Sequence, residues 1–173
     1  KTVTNESVDI SNDTKVPEGS NELWIRVFDK AGNAMNDQKI GTFIKDKTAP
    51  TVTINDVADA DDETAGTQVN KKFTLSGTVT DSNIASDAVP KLYVGSTELT
   101  STNISGLTKT RSGQNWTISG IDTTQTAIGE GDKTFKVVFT DKAGNEGNKT
   151  VDVKVDQDSD RPKIKIKEFA VKD

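Results

Sequence analysis

Asp29-Lys30-Ala31-Gly32-Asn33 returns as Asp141-Lys142-Ala143-Gly144-Asn145, 112 residues further on (29 against 141). A short Asp side chain accepts from backbone N–H groups two residues on, and Gly or Asn tolerates positive φ. The motif therefore predicts a tight turn between two strands. The same offset holds on both sides of it. Leu23, Ile25 and Val27 fall on Phe135, Val137 and Phe139. Pro50, Val52 and Ile54 fall on Pro162, Ile164 and Ile166, and Gly19 falls on Gly131. Independent matches at one spacing mark an internal repeat. Its period places a complete unit at residues 49–160. Residues 1–48 become the last part of a preceding unit, and residues 161–173 the first strand of a following one. The chain reads as a piece of a longer array. Alternatively, its two partial ends complete each other between neighbouring molecules, since half a sandwich cannot bury its apolar face alone.

Within the unit the hydropathy period is two. Phe73, Leu75, Gly77 and Val79 alternate with Thr74, Ser76, Thr78 and Thr80. Phe135, Val137 and Phe139 alternate with Lys136 and Val138, and Val151, Val153 and Val155 with Asp152 and Lys154. Shorter runs centre on Tyr93 and Thr117. This is the pattern of half-buried strands. Thr and Val suit the pleated surface, and Gly and Asn punctuate the chain as turns do. No window carries a sustained helical period. About seven short strands in a unit of this length predict a two-sheet sandwich.

Composition removes whole classes of function. The chain has 173 residues, no Cys and no His. That excludes a disulfide framework, a thiolate nucleophile, a His-based zinc site and a Ser-His-Asp triad. A net charge of -5 argues against nucleic acid, which needs a basic face. No apolar run approaches the ~20 residues of a membrane helix, so membrane insertion is not expected. No signal peptide is legible, and the lack of Cys suits the cytosol and a secreted protein alike.

Strand, Asp-Lys-Ala-Gly-Asn, strand, then Asp46-Lys47-Thr48-Ala49-Pro50-Thr51-Val52-Thr53-Ile54 resembles the bacterial immunoglobulin-like repeats of large surface adhesins and biofilm proteins. Leu75-Ser76-Gly77-Thr78-Val79-Thr80-Asp81 resembles the second strand of those domains. The resemblance implies tandem immunoglobulin-like sandwiches of about seven strands. It also implies a non-enzymatic rod on a bacterial cell surface, with calcium at domain junctions. The step from such a fold to a role is analogy.

Acidic residues supply the metal candidates. Asp156-Gln157-Asp158-Ser159-Asp160-Arg161-Pro162 sets three alternating carboxylates before a Pro. Calcium takes six to eight oxygens, and such a linker can offer several. An EF-hand fails, because Arg161 stands where a loop Gly is required. A weak similarity to the acidic linker of cadherins is left. A second group, Asp56, Asp59, Asp61, Asp62 and Glu63, lies in a loop after the first strand. In an immunoglobulin-like sandwich that loop, read as residues 55–72, shares the exit end with Asp122, Glu130, Asp132 and the linker. Asp56, Asp59, Asp61, Asp156, Asp158 and Asp160 are therefore the candidate calcium ligands. Simple spreading into water, screened beyond ~8 Å, is the alternative. The opposite end brings Asp81, Ser82, Asn83, Asp87, Asp141 and Asn145 towards Asp46. Linker composition predicts unequal junctions, with Asp158 and Asp160 mattering more than Asp46.

The leading functional reading is a structural stalk module whose partners are neighbouring domains of the same chain. A module that itself binds a host or matrix glycan or protein is a second reading. It would use the loops 82–90 and 96–114 or the aromatics Trp24, Phe28, Tyr93 and Trp116. A surface-layer subunit is a third. An enzyme is not expected, since the carboxylate pairs fall on loops of a thin sandwich with little room for a cleft.

Overall fold

The structure is a computed structural model describing residues 9–10, 12–59 and 68–157. Twelve strands and no helix occur among the described residues. The first two, β1 (Gly19–Ile25) and β2 (Gln38–Lys45), form a separate antiparallel hairpin. The rest build two packed sheets. One contains β3 (Thr51–Val52), β4 (Ala58–Asp59), β6 (Lys72–Thr80), β9 (Thr108–Ser112) and β10 (Asn115–Asp122), in the order β3-β6-β10-β9 with β4 also on β6. The other contains β5 (Gln68–Val69), β7 (Lys91–Val94), β8 (Thr97–Leu99), β11 (Gly131–Thr140) and β12 (Glu146–Val155), in the order β5-β12-β11-β7-β8. Among the described residues pairing is antiparallel except for β5, which runs parallel to β12. This is the all-β sandwich that the period of two predicts.

Alternation decides which faces meet. On β6, Phe73, Leu75 and Val79 are buried, while Lys72 and Thr80 at its ends are exposed. Trp116, Ile118 and Ile121 bury from β10, and a one-residue register shift between Ile118 and Ile121 keeps both Ile inward. Phe135, Val137 and Phe139 bury from β11. Phe73 of one sheet meets Phe135 of the other edge to face, with ring centroids 5.2 Å apart. Apolar burial of this kind supplies the main driving force of folding.

The first strand departs from expectation. Residues 55–72 are not one loop at the exit end. The chain pairs with β6 as β3, breaks, pairs again as β4, and reappears on the opposite sheet as β5. The cause is legible in the burial. Val52 and Val57 are both buried, but an odd spacing cannot place both on one face of a regular strand. The backbone must kink between them. Val69 then closes the core from the other sheet.

The hairpin has no such core. Leu23, Ile25 and Val27 align with three fully buried residues of β11, yet Leu23 is 49% exposed where Phe135 is 0%. Ion pairs decorate the hairpin instead: Arg26 with Asp37, and Lys39 with Glu22 at 2.5 Å. Exposed pairs of this kind contribute little to stability.

Candidate functional site

The two repeated turns are built alike. Asp29 Oδ1 accepts from the backbone N–H of Ala31 (2.8 Å) and Asn33 (2.9 Å), and Oδ2 from the Asn33 side chain (2.8 Å). Asp141 Oδ1 accepts from Ala143 (2.8 Å) and Asn145 (2.9 Å), and Oδ2 from the Asn145 side chain (2.8 Å). Gly32 and Gly144 hold φ of 89° and 93°, the left-handed region that a side chain would strain. The motif is thus a carboxylate wrapped by its own loop. Asp29 is exposed, whereas Asp141 is buried.

Asp141 has company. Asp46 follows β2, Asp81 follows β6 and Asp141 follows β11. One carboxylate oxygen from each lies within 4.8 Å of the others. Each is aimed by a local turn. Asp46 Oδ1 accepts from the N–H of Thr48 (2.9 Å), and Asp81 Oδ1 from that of Asn83 (2.6 Å). Asn145 ties the group together, its Nδ2 donating to the carbonyl of Asp46 (3.1 Å) and to Asp141 (2.8 Å). Among the described residues no Lys or Arg forms an ion pair with any of the three. Lys45, next in sequence to Asp46, donates instead to the carbonyls of Asp13 and Val16.

The three carboxylates repel one another. At ~5 Å two carboxylates repel by about 3 kcal/mol at an effective dielectric near 20, and by under about 1 in water. Asp46 and Asp81 are half-buried, which places them between those limits. Burial works against the charged form of Asp141. Hydrogen bonds from the Asn145 side chain and from the backbone of Asn145, Ala143 and Gly144 outweigh it and hold its pKa below the ordinary carboxylate value. The donor set is oxygen only and negatively charged, as calcium prefers, and lacks the N and S ligands of a zinc site. Beside it runs an open groove of about 360 Å³ between hairpin and sandwich, lined in part by Glu18, Ile44, Lys45, Thr48 and Asn83.

The exit end is arranged differently. Asp56 is exposed and follows Asn55, whose N–H donates to Ser76 halfway along β6, so it sits away from the pole. Asp59 lies in β4 opposite Phe73. Asp156 is half-buried, with Oδ2 accepting from Gln68 Nε2 (3.3 Å) and lying 3.5 Å from Lys154 Nζ. Asp61, Asp158 and Asp160 lie outside the described residues, as does the side chain of Asp59. Asp122 is held below its ordinary pKa, since bonds from Thr124 and the charge of Lys72 outweigh its burial. Among the described residues, the group of three acids is the one at Asp46. Trp116, a candidate sugar platform, is buried, while Trp24 and Phe28 are exposed on the hairpin.

Comparison with solved structures gives two adhesin segments and murine CRIg. The chain is 19% identical to a tetra-tandem repeat from the extending region of a large adhesion protein, covering 83% of this chain and 33% of that one, with a TM-score of 0.45. It is 20% identical to a Ca2+-stabilised adhesin with which an Antarctic bacterium reaches out and binds ice, covering 79% of this chain and 31% of that one, with a TM-score of 0.36. Murine CRIg is 9% identical, covering 62% of this chain and 97% of that one, with a TM-score of 0.32. The chain spans about a third of the length of the two adhesin structures. No curated protein matches it. The family model of the bacterial Ig-like domain (group 3) matches residues 8–99, running from the hairpin through β8. With its repeated turn, sandwich and matched span in view, the chain belongs to the bacterial Ig-like domain (group 3) family.

Proposed function

We propose that the chain is a structural stalk module of a bacterial cell-surface repeat protein, with calcium stiffening its junctions. Its units fall at residues 1–48, 49–160 and 161–173, and its partners are the neighbouring domains of the same chain. Attachment to a host or matrix glycan or protein belongs to other domains. The observation that carries the reading is the meeting of Asp46, from the segment after β2, with Asp81 and Asp141 of the sandwich. A cation held by all three would tie the linker to the body and turn a hinge into a strut. The carbonyl of Asp46, already bonded to Asn145, and water would complete the oxygen shell. Extracellular calcium suits such a site.

The exit end is the matching half of the next junction. Gly19 pairs with Lys45 on the hairpin and Gly131 with Val155 on the sandwich, so Asp156 holds the place after β12 that Asp46 holds after β2. Asp59, Asp61, Asp156, Asp158 and Asp160 are its candidate ligands; Asp56, beside Asn55 halfway along β6, is set aside.

Thermal unfolding with calcium and with chelator tests the reading. Calcium should raise the melting temperature by several degrees, since ~1 kcal/mol of linked binding moves a domain of this size by roughly 4 °C. Asp81→Asn should abolish the rise. An unchanged melting temperature in millimolar calcium would remove the cation from the account. A rise that survives in Asp81→Asn but disappears in a double Asp158→Asn, Asp160→Asn variant would move it to the exit end.

A further inference from the structure

The sandwich carries its two chain ends at opposite poles. Pro50 enters beside the Asp141 turn, its carbonyl so close to Gly147 that a Cβ there would sit 1.7 Å from it. Val155 leaves at the other pole, opposite Gly131. Tension along a tandem array therefore pulls the entering strand one way and β12 the other. β5 belongs to the entering segment and pairs directly, and in parallel, with β12: Gln68 opposite Lys154 and Val69 opposite Val155. Parallel strands drawn in opposite directions are loaded along their length, across bonds that lie between the strands. Their contacts must then fail together and not one after another.

The contacts continue past the end of β12. The N–H of Asp156 donates to the carbonyl of Val69 (2.9 Å). The side chain of Gln68 donates to Asp156 (3.3 Å). Gln157 is held from both sheets, its N–H donating to Glu130 (3.0 Å) and its side-chain amide to Thr123 Oγ1 (2.8 Å). Thr123 is itself buried and donates its N–H (2.7 Å) and hydroxyl (2.8 Å) to the carbonyl of Lys71, just before β6. The exit of the chain is thus sewn to β5, to the approach to β6, to the end of β10 and to the start of β11.

We infer that Gln68, Val69, Thr123, Glu130, Asp156 and Gln157 form a force-bearing clasp that sets the load at which the sandwich opens. This rests on the stalk reading for the direction of load, and it adds a mechanical function that the cation site does not supply. Forced unfolding reports the unfolding barrier, whereas denaturant reports equilibrium stability, so the two can be separated.

The test is single-molecule pulling of the full chain between its two ends, in chelator so that the entry-pole cation plays no part. Asp156→Pro deletes the N–H that reaches Val69, and Gln157→Ala deletes the bond to Thr123. Leu99→Ala, a buried truncation on the edge strand β8, serves as the comparison for lost equilibrium stability. Each clasp variant should unfold roughly three- to tenfold faster at fixed force, the scale of one lost hydrogen bond. Leu99→Ala should lose more stability in urea but change the forced rate less. Clasp variants that unfold under force no faster than the unaltered chain, or Leu99→Ala exceeding both, would overturn the inference. Either result would leave the calcium-dependent melting of the stalk reading untouched. Should Asp156→Pro fail to fold, Gln157→Ala alone decides.

Discussion

Asp141 accepts the same hydrogen bonds as Asp29, but in a buried setting beside two more carboxylates. The turn explains why the motif recurs; the setting explains why the copies differ in consequence. Both carboxyls are held below their ordinary pKa, Asp29 chiefly by the Asn33 side chain, Asp141 by the bonds that overcome its burial. A carboxyl depressed in the folded state stabilises above its unfolded value, near 4, and that stability is lost as pH falls through the folded value. Asp141→Asn keeps one acceptor oxygen and loses the bond from Asn145. It should cost about 1 kcal/mol in urea unfolding at pH 7, and the gap from the unaltered chain should close below pH 4. A gap that stays constant down to pH 2.5, roughly a unit and a half below the unfolded value, would show that charge has no part in it. The turn was legible from five residues. Topology alone brought Asp81 and Asp141 towards Asp46; which oxygens converge depends on the packing of three elements.

Alternation on β6, β10 and β11 was readable because each strand hides one face and shows the other, and period two records that directly. The division of the first strand into β3, β4 and β5 was harder to see. Only the odd spacing of Val52 and Val57 betrays it, and that spacing has meaning only once both are known to be buried. The repeat offset likewise hides a slip. β1 and β2 change register between Leu23 and Trp24, and by the Phe28–Ala34 bridge the pairing has moved once more. β11 and β12 keep one register throughout. An offset read from sequence would match Asp46 to Asp158, whereas strand pairing matches it to Asp156. By the same pairing Met35 occupies the place of Gly147, the residue that admits the Pro50 carbonyl. The hairpin therefore cannot seat an entering strand as the sandwich does. Gly147→Ala should cost about 1–3 kcal/mol or more through overpacking, visible as a lowered urea midpoint. Met35→Ala, at an exposed position, should stay within about 0.5 kcal/mol. If the two changes cost the same, the close approach of Pro50 is not what Gly147 is there to permit.

At the scale of the whole molecule, every buried hydrophobic side chain among the described residues, Pro50 apart, lies between Val52 and Val155. The hairpin contributes none, and it exposes the face that its counterpart in the sandwich hides. A body with its own core folds alone, while an isolated two-stranded hairpin is marginal at best. Residues 46–160 should therefore melt cooperatively within a few degrees of the full chain, and residues 1–48 should show no transition by circular dichroism. The pair of fragments 46–160 and 50–160 then isolates the junction. Both keep the core, Asp81 and Asp141, but only the longer one keeps Asp46 and the carbonyl to which Asn145 donates. If the linker completes the cation site, calcium raises the melting temperature of 46–160 by more than it raises that of 50–160, and chelator brings the two together. Equal responses would mean that the sandwich binds the ion without the linker. The ion could then stabilise a unit but could not couple one unit to the next, and the stiffness of the array would have to come from the contacts of the chain itself.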